Sequence, residues 1–245
     1  MNAKLSAARS TAPCRLRRIS LVRMHSAILV LGGVGFLVGF RHAFEPDHLA
    51  AVAPLSTRHG WRGASTLGVA WGLGHSASIA LVALVIALLG IRVPAKFFRA
   101  AELGVAALLV ALGVSTLVAE ARRHMTSRGP AHRRAHLAEQ PHSHAGRRTA
   151  WGALSFGVVH GLAGSGAVMV LLVAAARNVG QQMAYLLVFG VGTIVGMSAV
   201  SLTTGALSGF ASARSARVAT VMRVGAASAS VIAGTLLGAS TLQPT

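Results

Sequence analysis

The 245-residue chain is 53% hydrophobic and 11% charged, with 23 Lys and Arg against 5 Asp and Glu. A soluble domain carries roughly 25% charged residues, so this chain has too few to cover a water-facing surface, and a soluble globular protein is excluded. The formal charge of +18 would point to nucleic acid in a soluble protein, but the basic residues here lie in the termini and connections that flank apolar runs, where they set orientation; no nucleic-acid partner is expected.

Residues 1–23 form a basic tail that is nearly free of acids and contains no apolar stretch fit to be a signal-peptide core, so no cleavable leader is expected. Met24 is an alternative start. The single cysteine, Cys14, lies in this tail, which excludes a disulfide framework or thiolate cluster. Apolar runs follow at about 26–46, 64–90, 99–119, 151–175, 182–208 and 218–240. Each approaches the roughly 20 residues that a membrane-spanning helix needs. The predicted fold is all-α: a polytopic membrane protein of about six transmembrane helices.

The connection from Glu120 to Thr149 differs in kind, with seven arginines, five histidines and two prolines. It separates a first three-helix unit (24–120) from a second (150–245), with 121–149 as a His/Arg-rich loop. The two units resemble each other. Gly39-Phe40-Arg41-His42 aligns with Gly157-Val158-Val159-His160 at an offset of 118, and Trp71-Gly72-Leu73-Gly74 with Phe189-Gly190-Val191-Gly192 at the same offset. Gly104 and Gly113 correspond to Gly225 and Gly234 at an offset of 121. A repeat with an odd number of spans inserts its second copy upside down, and such inverted repeats build many secondary transporters with the site near the bilayer midplane.

The first span ends in Arg41-His42-Ala43-Phe44-Glu45-Pro46-Asp47-His48. Ionisable groups within a span are costly unless paired or solvated, and by default mark a binding site or pathway. On a regular helix His42, Asp47 and His48 would point apart, but Pro46 lacks an N–H and is expected to free the carbonyl of His42, opening a kink at which the three converge. Glu45 and Arg41 are candidates for an internal ion pair. In the second span Gly72 and Gly74 permit close helix approach, which lets His75 reach a neighbouring helix; taken alone it reads more readily as a hydrogen-bonded packing residue than as a ligand. Imidazole and carboxylate together suit Ni²⁺, Co²⁺ or Zn²⁺.

His160 is the repeat counterpart of His42, followed by Gly161, Gly164, Ser165 and Gly166. It marks either a second broken helix whose backbone lines a pathway or a small-residue helix contact. Met169 reads as packing rather than as a soft ligand. The loop histidines His124, His132, His136, His142 and His144 are either a labile metal-binding tract or a solvated connector.

Arg41-His42-Ala43-Phe44-Glu45-Pro46-Asp47-His48-Leu49-Ala50-Ala51 resembles the signature helix of the nickel/cobalt transporter superfamily, R-H-A-x-D-[AP]-D-H-[ILV]-A-A. Leu73-Gly74-His75-Ser76 is similar to that family's L-G-H-S motif, and His160-Gly161-Leu162-Ala163-Gly164-Ser165-Gly166-Ala167 to a segment of its six-helix, urease-accessory UreH-like branch. The resemblance implies transport of Ni²⁺ or Co²⁺, with His42, Asp47, His48 and His75 contacting the metal. Glu45 departs from the pattern, standing where the family has Asp.

The expectation is a secondary transporter without a permanently bound cofactor, carrying Ni²⁺ or Co²⁺ through an intramembrane His/Asp site in the bacterial plasma (inner) membrane. Its partners would be the metal ion and the lipid bilayer, with homo-oligomerisation open. No G-x-x-x-x-G-K-[ST] motif is present for ATP. The competing readings are an intramembrane metalloenzyme, against which the absence of H-E-x-x-H speaks, a membrane accessory subunit for metalloenzyme maturation, and a permease for another small solute.

Overall fold

A computed structural model of the protein describes residues 32–57, 59–90, 94–126, 150–163 and 179–243. Ser165, Met169, His132, His136, His142 and His144 lie outside the described residues, as does the basic tail. The described residues are nearly all helical: α1 (32–42), α2 (Pro46–Ser56), α3 (Trp61–Leu89), α4 (Ala95–Thr126), α5 (Ala150–Ala163), α6 (Val179–Arg214) and α7 (Ala216–Leu242). Four of them, α3, α4, α6 and α7, are long and apolar enough to cross a membrane, with mean hydropathies of 2.1, 2.1, 2.0 and 1.4 over their most apolar stretches. The protein is a polytopic membrane protein built from helices.

The ends of these helices follow from local chemistry. Gly90 closes α3 in the left-handed conformation (φ 62°), its N–H bonded to the Ile86 carbonyl at 2.9 Å, a geometry that glycine adopts without penalty. Ser215 alone separates α6 from α7 and caps the latter, its hydroxyl accepting from Arg217 N–H at 3.2 Å.

Two sequence expectations are corrected here. The first apolar run, read as one span over 26–46, stops being helical at His42, and a separate short helix, α2, occupies residues that were read as a connection. The polar loop expected from Glu120 begins later, because α4 continues to Thr126. Glu120 is almost fully buried, accepting from Arg223 Nη2 at 2.7 Å, Arg223 Nε at 3.1 Å and Thr220 Oγ1 at 3.3 Å. That cross-link to α7 holds the last turns of α4 in register. At the opposite end of the same helix pair a single bond, Thr241 Oγ1 to Glu102 Oε2 at 3.4 Å, joins α7 to α4. Glu120→Ala should strand the Arg223 guanidinium and destabilise the protein by about 3 kcal/mol. Thermal unfolding in detergent reads this, and Glu120→Leu/Arg223→Leu should recover most of the loss because neither charge is then left unpaired.

The interior combines small residues with a few large apolar side chains. One cluster gathers Ala43, Ala50, Ala51, Val52, Leu67, Trp71, Val105, Leu109, Ala153, Ala163, Met197 and Val200, and a second Ile79, Ala83, Leu186 and Phe189. Many other large apolar side chains point outward, as Leu81 (62% exposed), Leu187 (67%) and Leu236 (66%) do. Lipid is as apolar as leucine, so helices in a bilayer associate through close backbone approach at small residues.

The close approaches come in reciprocal sets. Gly39 of α1 lies on the Phe189 carbonyl of α6, and Gly157 of α5 on the Trp71 carbonyl of α3; moving both residues of the first contact by 118 positions gives the second. Gly192 of α6 meets Phe36 and Phe40 of α1, and Gly74 of α3 meets Leu154 and Val158 of α5, again related by 118. On α4 and α7, Gly113 against Ala227 and Val231 is matched, at an offset of 121, by Gly234 against Ala106 and Val110. Helix α1 is thus seated on α6 and α5 on α3, while α3 and α6 run antiparallel alongside, Gly72 against Ile194 and Gly190 against Ser76.

Candidate metal site

Residues 41–49 build the first wall. After His42 the chain turns tightly, Phe44 N–H donating to the Arg41 carbonyl at 2.9 Å and Glu45 N–H to the His42 carbonyl at 3.1 Å. The His42 carbonyl that Pro46 was expected to free is therefore satisfied. Pro46 does not kink a continuous helix; it starts α2 at its first turn, where its missing N–H has no consequence. Glu45 precedes it in an extended conformation (φ −64°, ψ 147°), as a residue before proline prefers. This break turns His42, Asp47 and His48 towards one another.

His75 enters from α3, fourteen residues from each end of the helix Trp61–Leu89. At 1.5 Å per residue this places it roughly 21 Å along the axis from either end, near the middle of a span. It reaches the cluster because Gly74 and Gly157 let α3 and α5 touch backbone to backbone. His160 enters from α5 across the same crossing.

The rings pack tightly. Ring centres are 4.6 Å apart for His42 and His48, 5.1 Å for His48 and His75, and 4.3 Å for His48 and His160. His42 to His75 is 5.3 Å and His75 to His160 is 5.7 Å. His48 is thus the hub. All four imidazoles are buried: His48 and His75 at 0% exposure, His160 at 1% and His42 at 7%. Phe189 closes over His42 with ring centres 5.4 Å apart, and Trp71 packs edge-on to His160 at 5.7 Å.

Two carboxylates stand on the open side. Glu45 Oε1 is 3.0 Å from His42 Nδ1, with its side chain 53% exposed. Arg41, the expected partner of Glu45, has an exposed side chain. Asp47, one-third exposed, holds two histidines: Oδ1 is 3.1 Å from His48 Nδ1 and Oδ2 is 3.1 Å from His160 Nε2. Asp47 Oδ1 also accepts from the His48 backbone N–H at 2.9 Å.

These contacts assign the ring protons. His42 and His48 give their Nδ1–H, and His160 its Nε2–H, to a carboxylate, which leaves a lone pair on the opposite nitrogen of each neutral ring. Among the described residues His48 Nε2 and His160 Nδ1 are buried without a hydrogen-bond partner, as is His75 Nδ1. His42 Nε2 and His75 Nε2 face each other at 3.2 Å; moving the one proton between them to His75 Nδ1 presents both nitrogens to a shared point. Buried nitrogens with unsatisfied lone pairs are uncommon, and rings held by carboxylates on their far side are the arrangement that orients histidine for a metal. One donor atom from each of His42, His48 and His75 lies within 4.8 Å of the others, and the same holds for Asp47, His48 and His160.

All four principal candidates, His42, Asp47, His48 and His75, are therefore brought together. Glu45 stands at the rim beside His42, and His160 joins through its side chain rather than its backbone. The repeat signalled His160 as the counterpart of His42 but not its bond to Asp47. The counterpart of His75 is Thr193, whose hydroxyl contacts the carbonyls of Phe189 at 3.0 Å and Gly39 at 3.2 Å; this position carries a helix contact in one unit and a cluster imidazole in the other. Trp71 and Phe189 were not singled out as site walls, although both belong to the repeated Trp/Phe-Gly-x-Gly pattern.

A family model described as high-affinity nickel-transport protein matches residues 28–238. The urease accessory protein UreH of Bacillus sp. (strain TB-90) is 32% identical over 174 residues, 70% of this chain and 73% of that protein. The chloroplast protein FOR GROWTH AND FERTILITY 2 of Arabidopsis thaliana is 26% identical over 186 residues, 76% of this chain and 50% of that protein. No solved structure matches. The buried imidazole cluster, the apolar helices and a family match over most of the chain agree, and the chain belongs to the high-affinity nickel-transport protein family.

Proposed function

We propose that the protein is a secondary transporter that carries Ni²⁺ or Co²⁺ across the bacterial plasma (inner) membrane, with His42, Asp47, His48 and His75 contacting the ion. The observation that carries this reading is the convergence of four buried imidazoles and a carboxylate, with His75 at mid-helix depth and with lone pairs that no donor among the described residues satisfies. Placing such groups among apolar helices is costly, and binding of a borderline divalent cation by imidazole nitrogen offsets that cost. Glu45 orients His42. The reciprocal glycine contacts support two inverted units that rock about the cluster, opening it to each side in turn.

A second reading, a membrane accessory subunit for metalloenzyme maturation, is favoured by the similarity to the urease accessory protein of Bacillus. Purified protein in liposomes separates the two, because an accessory subunit moves no ion alone. The expected result is uptake of ⁶³Ni²⁺ that saturates with concentration, and its loss in His42→Ala and His75→Ala. Absence of flux from well-folded parent protein would reject the transporter reading.

A further inference from the structure

The five groups do not form one coordination shell. His48 lies 4.3–5.1 Å from each of the other three imidazoles, whereas His42 and His160 lie 5.3 and 5.7 Å from His75. The donor atoms fall into two trios, His42/His48/His75 and Asp47/His48/His160, and His48 alone belongs to both. The two nitrogens of His48 differ: Nδ1 is turned to Asp47, and Nε2 is buried and has no partner among the described residues.

We propose that the metal ion occupies two successive positions that share His48, the first held by His42, His48 and His75 and the second by Asp47, His48 and His160. This rests on the transporter reading above and assigns His160 as a ligand of the second position. Three protein donors leave the remaining coordination positions of the ion to water, so neither position binds too tightly for release. Movement through a membrane protein requires sites favourable enough to enter and weak enough to leave. In the first position the Asp47 and Glu45 carboxylates orient His48 and His42 from behind. In the second, His48 and His160 each shift their single proton from the Asp47-facing nitrogen to the opposite one, so that the freed lone pairs beside Asp47 meet the ion. Because the first trio draws on α1, α2 and α3 and the second on α2 and α5, a shift of α5 against α1 would favour one position over the other.

The test combines Ni²⁺ titration calorimetry of the full-length protein in detergent with ⁶³Ni²⁺ flux in proteoliposomes. The parent should bind one ion. His75→Ala and His160→Ala should each still bind one ion, with affinity lowered about tenfold or more, because the other trio survives, yet each should lose nearly all flux. The double variant His75→Ala/His160→Ala should bind none. His160→Gln is the decisive variant, because its side-chain amide can still donate to Asp47 while supplying no imidazole. If His160 only positions Asp47, this variant should transport within tenfold of the parent, and that result overturns the proposal. A deeper loss of flux with Ni²⁺ binding retained supports it. One bound ion persisting in the double variant also overturns it. Failure of the parent to bind or move Ni²⁺ would instead count against the transporter reading itself.

Discussion

Asp47→Asn is expected to lower Ni²⁺ flux in proteoliposomes by about a hundredfold, the upper range for loss of a group that orients metal-bound histidines. The substitution preserves shape, so folding should be retained. Its effect comes from proton bookkeeping at two bonds. The carboxylate accepts from His48 Nδ1 through one oxygen and from His160 Nε2 through the other. An amide accepts through its oxygen but donates through its nitrogen, so one of the two rings must reverse its tautomer or lose its bond. Either outcome turns a lone pair away from the cluster and removes a negative charge from beside a divalent cation. Flux within threefold of the parent in a folded Asp47→Asn variant would show that the carboxylate neither orients nor binds. Glu45→Gln touches His42 alone, from a side chain 53% exposed, and the same argument gives it the smaller loss.

Gly157→Ala should be among the most damaging single-methyl changes outside the cluster. A Cβ at this position would fall on the Trp71 carbonyl and 2.9 Å from the His75 backbone nitrogen. Both neighbours are helix backbone, so no side chain can swing aside, and the crossing must open. Overpacking of this kind costs about 3 kcal/mol at the upper end, and the displacement also draws His160 and His75 apart. A lowered unfolding temperature in detergent together with lost flux is the expected result. Gly104→Ala provides the contrast: nothing lies within 4 Å of its added Cβ. Alanine is a better helix former than glycine by about 1 kcal/mol, so this variant should be as stable as the parent or more so. Equal behaviour of the two variants would mean that the α3–α5 crossing is not the tight seam described.

Composition and apolar runs made the membrane class and the long helices legible, because both depend on averages over about 20 residues. Helix α2 was not legible: it has eleven residues and two prolines, Pro46 and Pro54, which read as punctuation when no burial is visible. The spacing of His42, Asp47 and His48 was legible as a broken helix because an unbroken one would point them apart. The manner of the break was not, since proline opens a helix as readily as it interrupts one. The Asp47–His160 bond spans 113 residues, and no local pattern specifies which face of a distant helix arrives there. The same holds for Glu120 and Arg223: a lone acid at the end of an apolar run looks like the start of a loop until its cation is found on another helix.

The seating of α1 on α6 and of α5 on α3 has a consequence for how the molecule is made. When α1 and α3 enter the membrane, the surfaces around Gly39 and Gly74 have no mates, because Phe189 and Leu154 have yet to be synthesised. At a ribosome speed of about 5–20 residues per second, those grooves face lipid for many seconds before α5 and then α6 arrive to fill them. His42, His48 and His75 are all in place before His160 emerges, so the nascent chain carries an unfinished set of imidazoles until the last third of translation closes it.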